Sequence, residues 1–327
     1  MRAIVIEEYG GPEVMRLTET AAPEPGPGQV SIDVEASGVN FIDIYQRSGA
    51  YPVPLPFTPG VEAAGTVRAV GEGVTEVSPG QRVGWMMHPG GYAERAVVPA
   101  DRTVPLPDGV STESAAAVLL QGLTAHYLTH STYPIQPGDT VLVHAAAGGT
   151  GLLLTQLAKL RGARVIGTVS TEAKERLARE AGADEIIRYT GTATEQAPDV
   201  AAIVRELTGG AGVAAVYDGV GADTFEASLG SLRRRGVFAL FGQASGTVPP
   251  FDPQRLNTAG SVFLTRPTLA HHIEDRTELL ERASDVLGLV ANQKLTVRIG
   301  GRYPLGDAAR AHEDLAGRRT TGKLLLA

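Results

Sequence analysis

The chain has 327 residues, 43% hydrophobic and 20% charged, with a formal net charge of -7 and no cysteine. That length predicts about two domains with a sizeable core, and the acidic balance argues against general binding of nucleic acid or anionic membrane. Without cysteine there are no disulfides, thiolate nucleophiles, iron–sulfur clusters or cysteine-ligated zinc, which fits a reducing compartment.

Residues 1–6 read as an apolar strand, not as the basic start of a secretion signal. The longest helical apolar run, residues 115–120, is too short for a bilayer, so a cytoplasmic protein is the expectation. The first third is rich in glycine and proline. Val30, Ile32 and Val34 alternate with polar residues, as on a half-buried sheet. Strand-like pieces recur at residues 65–70, 82–86 and 92–98, divided by Ser78-Pro79-Gly80 and Pro89-Gly90-Gly91. No helix of more than a few turns is needed before Ser111, and a mostly β domain is predicted.

Ser111-Thr112-Glu113-Ser114 then caps a helix over residues 115–128, the serine oxygen accepting from the first free N–H groups. After Pro137-Gly138-Asp139 strands and helices alternate. The strands are 140–144, 164–169, 185–189, 213–218 and 237–242; the helices are 151–161, 172–181, 200–208 and 222–232. Nearly all-apolar strands imply helices on both sheet faces, hence an α/β class with a doubly wound parallel sheet. A strand at 261–265, a helix at 275–291, a strand at 295–299, a helix at 307–316 and an apolar tail at 323–326 follow. The nucleotide-binding domain is set at residues 123–265, with 1–122 and 266–327 forming the other. Residues 190–198 read as loose.

Between the first strand and first helix of this series stands Ala145-Ala146-Ala147-Gly148-Gly149-Thr150-Gly151. It matches the dinucleotide fingerprint with alanine at the first glycine. Gly148 lets the backbone approach a pyrophosphate, Gly151 lets the helix pack on the sheet, and the helix N-terminus offers N–H groups to phosphate. Alone, such a turn is an ordinary strand–helix connection about as often. The strand–turn–helix–strand order decides for the nucleotide. An NAD enzyme usually carries an acid at the end of the second strand. Here that end reads Thr168-Val169-Ser170-Thr171, with Lys174 one turn into the next helix, which favours NADPH. Glu172 serves the helix dipole in this reading.

These residues, with Gly38-Val39-Asn40-Phe41-Ile42-Asp43, Arg47-Ser48-Gly49-Ala50-Tyr51-Pro52, Pro59-Gly60-Val61-Glu62-Ala63-Ala64-Gly65, Gly122-Leu123-Thr124-Ala125 and Ala311-His312-Glu313, resemble a known family. It is the zinc-free quinone oxidoreductases, zeta-crystallin-like members of the medium-chain dehydrogenase/reductase superfamily, and the likeness covers essentially the whole chain. The resemblance implies a Rossmann domain plus a GroES-like β domain. Asn40 and Val61 stand where zinc-dependent relatives carry cysteine and histidine ligands, so no metal is expected. His126 and His130, spaced i, i+4, are taken as ordinary helix histidines.

By the same resemblance Asn40 and Ile44 lie beside the nicotinamide, and Thr124 at the domain crossing. Gly149 and Thr150 meet the pyrophosphate with Gly148. Ser170, Lys174 and Tyr189 surround the adenosine phosphate and adenine. Val220, Gly242, Gln243, Ser245, Pro267 and Leu269 line the remaining ribose and nicotinamide, and Arg319 or Gly317 closes the far end. Gln121 stands where close relatives often carry lysine. Tyr189 and Tyr217 have a plain alternative as core residues at sheet ends, the stronger for Tyr217.

Asn40, Tyr45 and Tyr51 are the candidates to hydrogen-bond an acceptor oxygen, with aromatic packing the alternative for both tyrosines. The expected reaction is metal-free hydride transfer from NADPH to a quinone. Its rivals are an NADPH-dependent enone or 2-alkenal reductase and a non-catalytic, crystallin-like NADPH-binding protein. The apolar strand at residues 237–241 is expected at a sheet edge, where the family pairs with its two-fold copy as a homodimer.

Overall fold

The structure, a computed structural model, describes residues 1–189 and 198–327. Of the stretch read as loose, all but Pro198 lies outside the described residues. Two units divide the chain: Met1–Leu123 with His272–Ala327, and Thr124–His271.

The first unit opens with an antiparallel pair, β1 (Arg2–Val5) and β2 (Arg16–Glu19). The long β3 (Gln29–Val39) runs straight into a two-turn helix, α1 (Phe41–Arg47). Strands β4 (Glu62–Val70), β5 (Arg82–Met86), β6 (Arg95–Pro99) and β7 (Thr103–Pro105) follow. Val30 and Ile32 are buried with Ala63, Val67, Val83, Trp85, Ala96 and Val98, but Ser31 between them is buried too and Val34 only partly, so the expected half-buried alternation holds only in part. Helix α2 (Thr112–Tyr127) begins where expected, with the Ser111 hydroxyl accepting from the Ser114 amide at 3.1 Å. A π-helical turn, Leu128–Thr132, extends it.

The second unit alternates β8 (Thr140–Val143), α3 (Gly149–Leu160), β9 (Arg164–Val169), α4 (Glu172–Glu180), β10 (Glu185–Arg188), α5 (Val200–Leu207), β11 (Val213–Asp218), α6 (Phe225–Ser231), β12 (Leu232–Leu240), α7 (Gln254–Thr258) and β13 (Phe263–Thr265). All six strands are parallel, in the order β10-β9-β8-β11-β12-β13. The order reverses between β8 and β11, the position at which such sheets bind ligands.

Three expectations for the second unit need correction. The helix read at residues 222–232 starts only at Phe225, and Leu232 already opens β12. That strand begins before Val237 because a bulge, with Arg235 at φ 57°, absorbs the three arginines. Nor is β12 the sheet edge: β13 pairs with it on the far side, and Phe238 is fully buried. The edge residue left open is Phe263, 62% exposed.

The chain then returns to the first unit as α8 (Arg276–Ala291), β14 (Ile299–Tyr303), α9 (Ala308–Ala316) and β15 (Lys323–Leu326). The strand expected at residues 295–299 is displaced to β14. Its glycines explain this: a side chain at Gly300 would overlap the Thr321 carbonyl, so only glycine allows the approach that pairs β14 with β15. The larger sheet runs β14-β15-β3-β4-β5-β7, with β6 also on β3. Among the described residues no helix is long and apolar enough to cross a membrane.

Candidate active site

In the second unit the sequence-predicted residues gather at the carboxyl ends of the parallel strands. Ala145 turns the chain after β8 with φ 50°, and Gly148 caps α3. A Cβ on Gly151 would overlap the Ala145 carbonyl oxygen and lie 2.8 Å from Ala146 Cα. At Gly148 the nearest atom, the same oxygen, would be 3.2 Å away. Gly151 is therefore demanded by packing of α3 on the turn. Gly148 leaves the α3 N-terminus uncovered, its free N–H groups available to an anion.

Ser170 follows β9, and the Thr171 hydroxyl caps α4 by accepting from the Lys174 amide at 3.2 Å. Lys174 thus stands in the first turn after the strand, where the sequence placed it. Tyr189 follows β10, its amide donating to Val169, and its ring packs against the core. Tyr217 is wholly buried, which supports its core alternative.

Asp218 ends β11 and organises the next two loops. Its Oδ1 accepts from the amides of Val220 at 2.7 Å and Gly221 at 3.1 Å; its Oδ2 accepts from the hydroxyls of Thr224 and Ser228, both at 2.7 Å. Ser228 also meets His144 Nε2 at 3.0 Å, and His144 Nδ1 meets Thr168 at 3.1 Å. The trio resembles a hydrolytic triad in composition only, because all three side chains are buried and the serine proton is held by Asp218. Burial lowers the His144 pKa, so the imidazole serves as a neutral strut. The Ser245 hydroxyl ties the loop after β12 to the one after β11, donating to the Val220 carbonyl at 2.8 Å. Gly242 permits this: a Cβ there would sit 2.5 Å from the Gly219 carbonyl oxygen. Pro267 and Leu269 follow β13, and Thr124 lies in α2.

In the first unit Asn40 caps α1 and is held at both ends. Its amide donates to Asp43 Oδ2 at 2.8 Å. Its side-chain Nδ2 donates to Gly38 O at 3.2 Å and Glu62 Oε2 at 3.0 Å, and its Oδ1 accepts from Lys323 Nζ at 2.6 Å. Lys323 also pairs with Glu62 Oε2 at 2.5 Å, and both side chains are essentially inaccessible, at 1% and 0%. Glu62 Oε1 accepts from the Leu120 amide at 2.7 Å. Ile44 and Tyr45 lie on α1; the Tyr45 and Tyr51 rings pack with centroids 5.1 Å apart.

Behind this cluster runs a second buried chain. Asp43 accepts from Val61 N at 3.1 Å and from the Tyr92 hydroxyl at 3.1 Å. The Tyr92 oxygen is 3.0 Å from His312 Nε2, and His312 Nδ1 is 3.2 Å from Arg47 Nη1. Burial raises the Asp43 pKa to about 6, against the lowering effect of its donors. Burial, with Arg47 beside it, lowers that of His312 to about 3. Glu62, Asp43, Tyr92 and Lys323, which build this cluster, were not among the sequence candidates. Asp43 and Glu62 lie within family motifs, and a lysine opening an otherwise apolar strand was the one signal for Lys323.

A zinc ion does not fit here. Val61 offers no ligand, both Asn40 amide hydrogens are donated, and the lone pair that would face a cation is taken by the Lys323 ammonium, which would repel one. His126 and His130 stack with centroids 4.0 Å apart and planes 9° from parallel. Among the described residues no group of three or more His, Asp or Glu side chains could hold a metal. The nucleotide does fit, since Gly151 and Gly242 stand where side chains would close the turns.

A parallel sheet with a glycine turn at its reversal point, joined in one chain to a β unit of this topology, defines a two-unit dehydrogenase architecture. Residues 26–108 match the alcohol dehydrogenase GroES-like domain, and 149–284 the zinc-binding dehydrogenase family. The chain is 45% identical to a quinone oxidoreductase of Pseudomonas aeruginosa, over 99% of each. It is 41% identical to a 2-haloacrylate reductase of Burkholderia, covering 99% of this chain and 98% of the relative. The structure of Escherichia coli quinone oxidoreductase complexed with NADPH superposes with a TM-score of 0.95 at 42% identity, over 100% of this chain and 99% of that one. The chain belongs to the quinone oxidoreductase family of the medium-chain dehydrogenases/reductases.

Proposed function

We propose that this protein oxidises NADPH by passing hydride to a quinone without a metal, acting in the cytoplasm as a homodimer. The observation that carries the reading is the Asn40 cluster. Where a metal-using dehydrogenase polarises a carbonyl, this chain has a closed set of Lys323, Asn40 and Glu62. An acceptor that needs no Lewis acid suits such a site, and a quinone is one, because hydride addition yields a stable phenolate.

Bound at the strand ends, NADPH supplies the hydride. Gly148, Gly149 and Thr150 would hold its pyrophosphate at the α3 N-terminus. Ser170, Lys174 and Tyr189 would surround the adenosine phosphate. By the family resemblance Val220, Gly242, Gln243, Ser245, Pro267 and Leu269 would line the remaining ribose and nicotinamide, Asn40 and Ile44 would belong to the nicotinamide side, and Thr124 to the domain crossing. Both Asn40 amide hydrogens are already donated, which counts against Asn40 as a donor to an acceptor oxygen; Tyr45 and Tyr51 stay candidates, with the packing of their rings as the alternative. The homodimer reading rests on the open edge at β13, with Phe263 as its contact.

The 2-haloacrylate reductase relative favours a second acceptor, an alkene conjugated to a carbonyl or carboxylate. NADPH oxidation is to be followed with 1,4-benzoquinone, an enone, 2-chloroacrylate and an aliphatic ketone. Quinone should be reduced fastest and the ketone hardly at all. Efficient reduction of the ketone would move the protein to alcohol dehydrogenase chemistry.

A further inference from the structure

We propose that Lys323 is a positioning residue for hydride transfer, fixing the Asn40 carboxamide and through it the start of α1. The proposal rests on the assignment of Asn40 and α1 to the nicotinamide side of the reaction.

An asparagine side chain can turn its oxygen and nitrogen end for end at little steric cost. Here the exchange is forbidden. An ammonium has three donors and no acceptor, so the atom facing Lys323 Nζ at 2.6 Å must be the Asn40 oxygen. Nδ2 is then aimed at the Glu62 carboxylate and the Gly38 carbonyl, both acceptors. The Asn40 main chain is fixed independently by Asp43. A residue held at side chain and backbone together sets the direction in which α1 leaves β3, and with it the places of Ile44 and Tyr45.

The cation is itself placed by the fold. Leu324 pairs with Val39, which lays the Lys323 stem beside β3. Gly38 leaves the room it needs: a Cβ there would sit 2.6 Å from Lys323 Cε and 2.5 Å from the Ala116 carbonyl oxygen. A lysine confined in this way, with no solvent around its ammonium, has a single orientation to offer.

Replacing Lys323 alone would strand the Glu62 charge in the core and endanger folding. The test therefore uses Lys323→Met beside the neutral double variant Glu62→Gln/Lys323→Met. Three quantities are measured: NADPH affinity by cofactor fluorescence, single-turnover hydride transfer to 1,4-benzoquinone, and the isotope effect with 4-deuterated NADPH. The double variant should transfer hydride at least about tenfold more slowly with an enlarged isotope effect, while NADPH affinity stays within about threefold. Adding Asn40→Ala to it should cost less than about twofold more, because the two changes remove one arrangement. A double variant with the parental rate and isotope effect overturns the proposal. So does a slower variant whose loss lies wholly in NADPH affinity. Failure of the functional reading shows separately, as an unaltered protein that oxidises no NADPH with quinone.

Discussion

The Tyr92 hydroxyl donates to Asp43 Oδ2 at 3.1 Å, and that single proton sets the direction of everything behind it. With its hydrogen given to Asp43, the Tyr92 oxygen can only accept from His312, which must carry its proton on Nε2. Nδ1 is then free to accept from Arg47, a group that always donates. The chain runs one way, from Arg47 through His312 and Tyr92 to Asp43, and protonating His312 on Nδ1 would set two donors against each other.

This arrangement predicts a pH signature. His312 has a folded pKa of about 3 against an ordinary 6.5, so its contribution to stability is present above pH 6.5 and is lost as pH falls towards 3. Asp43, raised from 3.8 to about 6, has the opposite sign, its contribution falling as pH rises across that window. The two oppose each other between about pH 4 and 6. Gln can accept from Arg47 and donate to Tyr92 without titrating. Relative to the parent, His312→Gln should therefore gain about 1.4 kcal/mol per pH unit as pH is lowered from 6 to 4. Urea denaturation at several pH values reads this; a difference that does not change with pH sinks the idea.

The glycine turn predicts a graded pair. Gly151→Ala would overlap the Ala145 carbonyl, and overpacking of this kind costs about 1–3 kcal/mol. It should weaken NADPH binding at least tenfold, on the order of 1.4 kcal/mol. Gly148→Ala, with 3.2 Å to the same oxygen, should be the milder of the two. Cofactor fluorescence titration ranks them, and the reverse order would show that Gly151 is not the packing constraint.

Lys174 should decide between cofactors. A charge-assisted contact to the 2′-phosphate is worth roughly 1.5–3 kcal/mol, so Lys174→Ala should remove most of a preference of about tenfold or more for NADPH over NADH. The ratio of kcat/KM values measures it. An unchanged ratio, or a parent that prefers NADH, would move the phosphate contact elsewhere.

The dimer prediction follows β13. Charges at Phe238 or Leu240 would be buried and would unfold the second unit, whereas Phe263 is open. Phe263→Asp should yield a folded monomer that still binds NADPH. Light scattering at micromolar concentration decides, and an unaltered protein that is already monomeric contradicts it.

Much of this molecule could be read from local pattern. The strand–helix alternation of the second unit was legible because each parallel strand is a short apolar run, and β9 and β11 fall at their expected bounds. Harder to read was whatever depends on a distant partner. Strand β14 owes its place to β15, and the three arginines at residues 233–235 conceal the start of β12. Asn40, Glu62 and Lys323 meet only because β3, β4 and β15 are neighbours, a relation that no spacing along the chain expresses.

That long separation bears on how the protein is made. Lys323 lies 261 residues beyond Glu62. Translation at about 5–20 residues per second delivers the lysine roughly 15–50 s after the carboxylate it neutralises. Throughout that interval the nascent first unit carries a glutamate destined for a dry interior without its cation. The second unit, contained in one continuous stretch, can close meanwhile. Because β14 and β15 reach the larger sheet only with that last segment, the first unit can be completed, and this pair formed, only after the whole of the second unit has been synthesised.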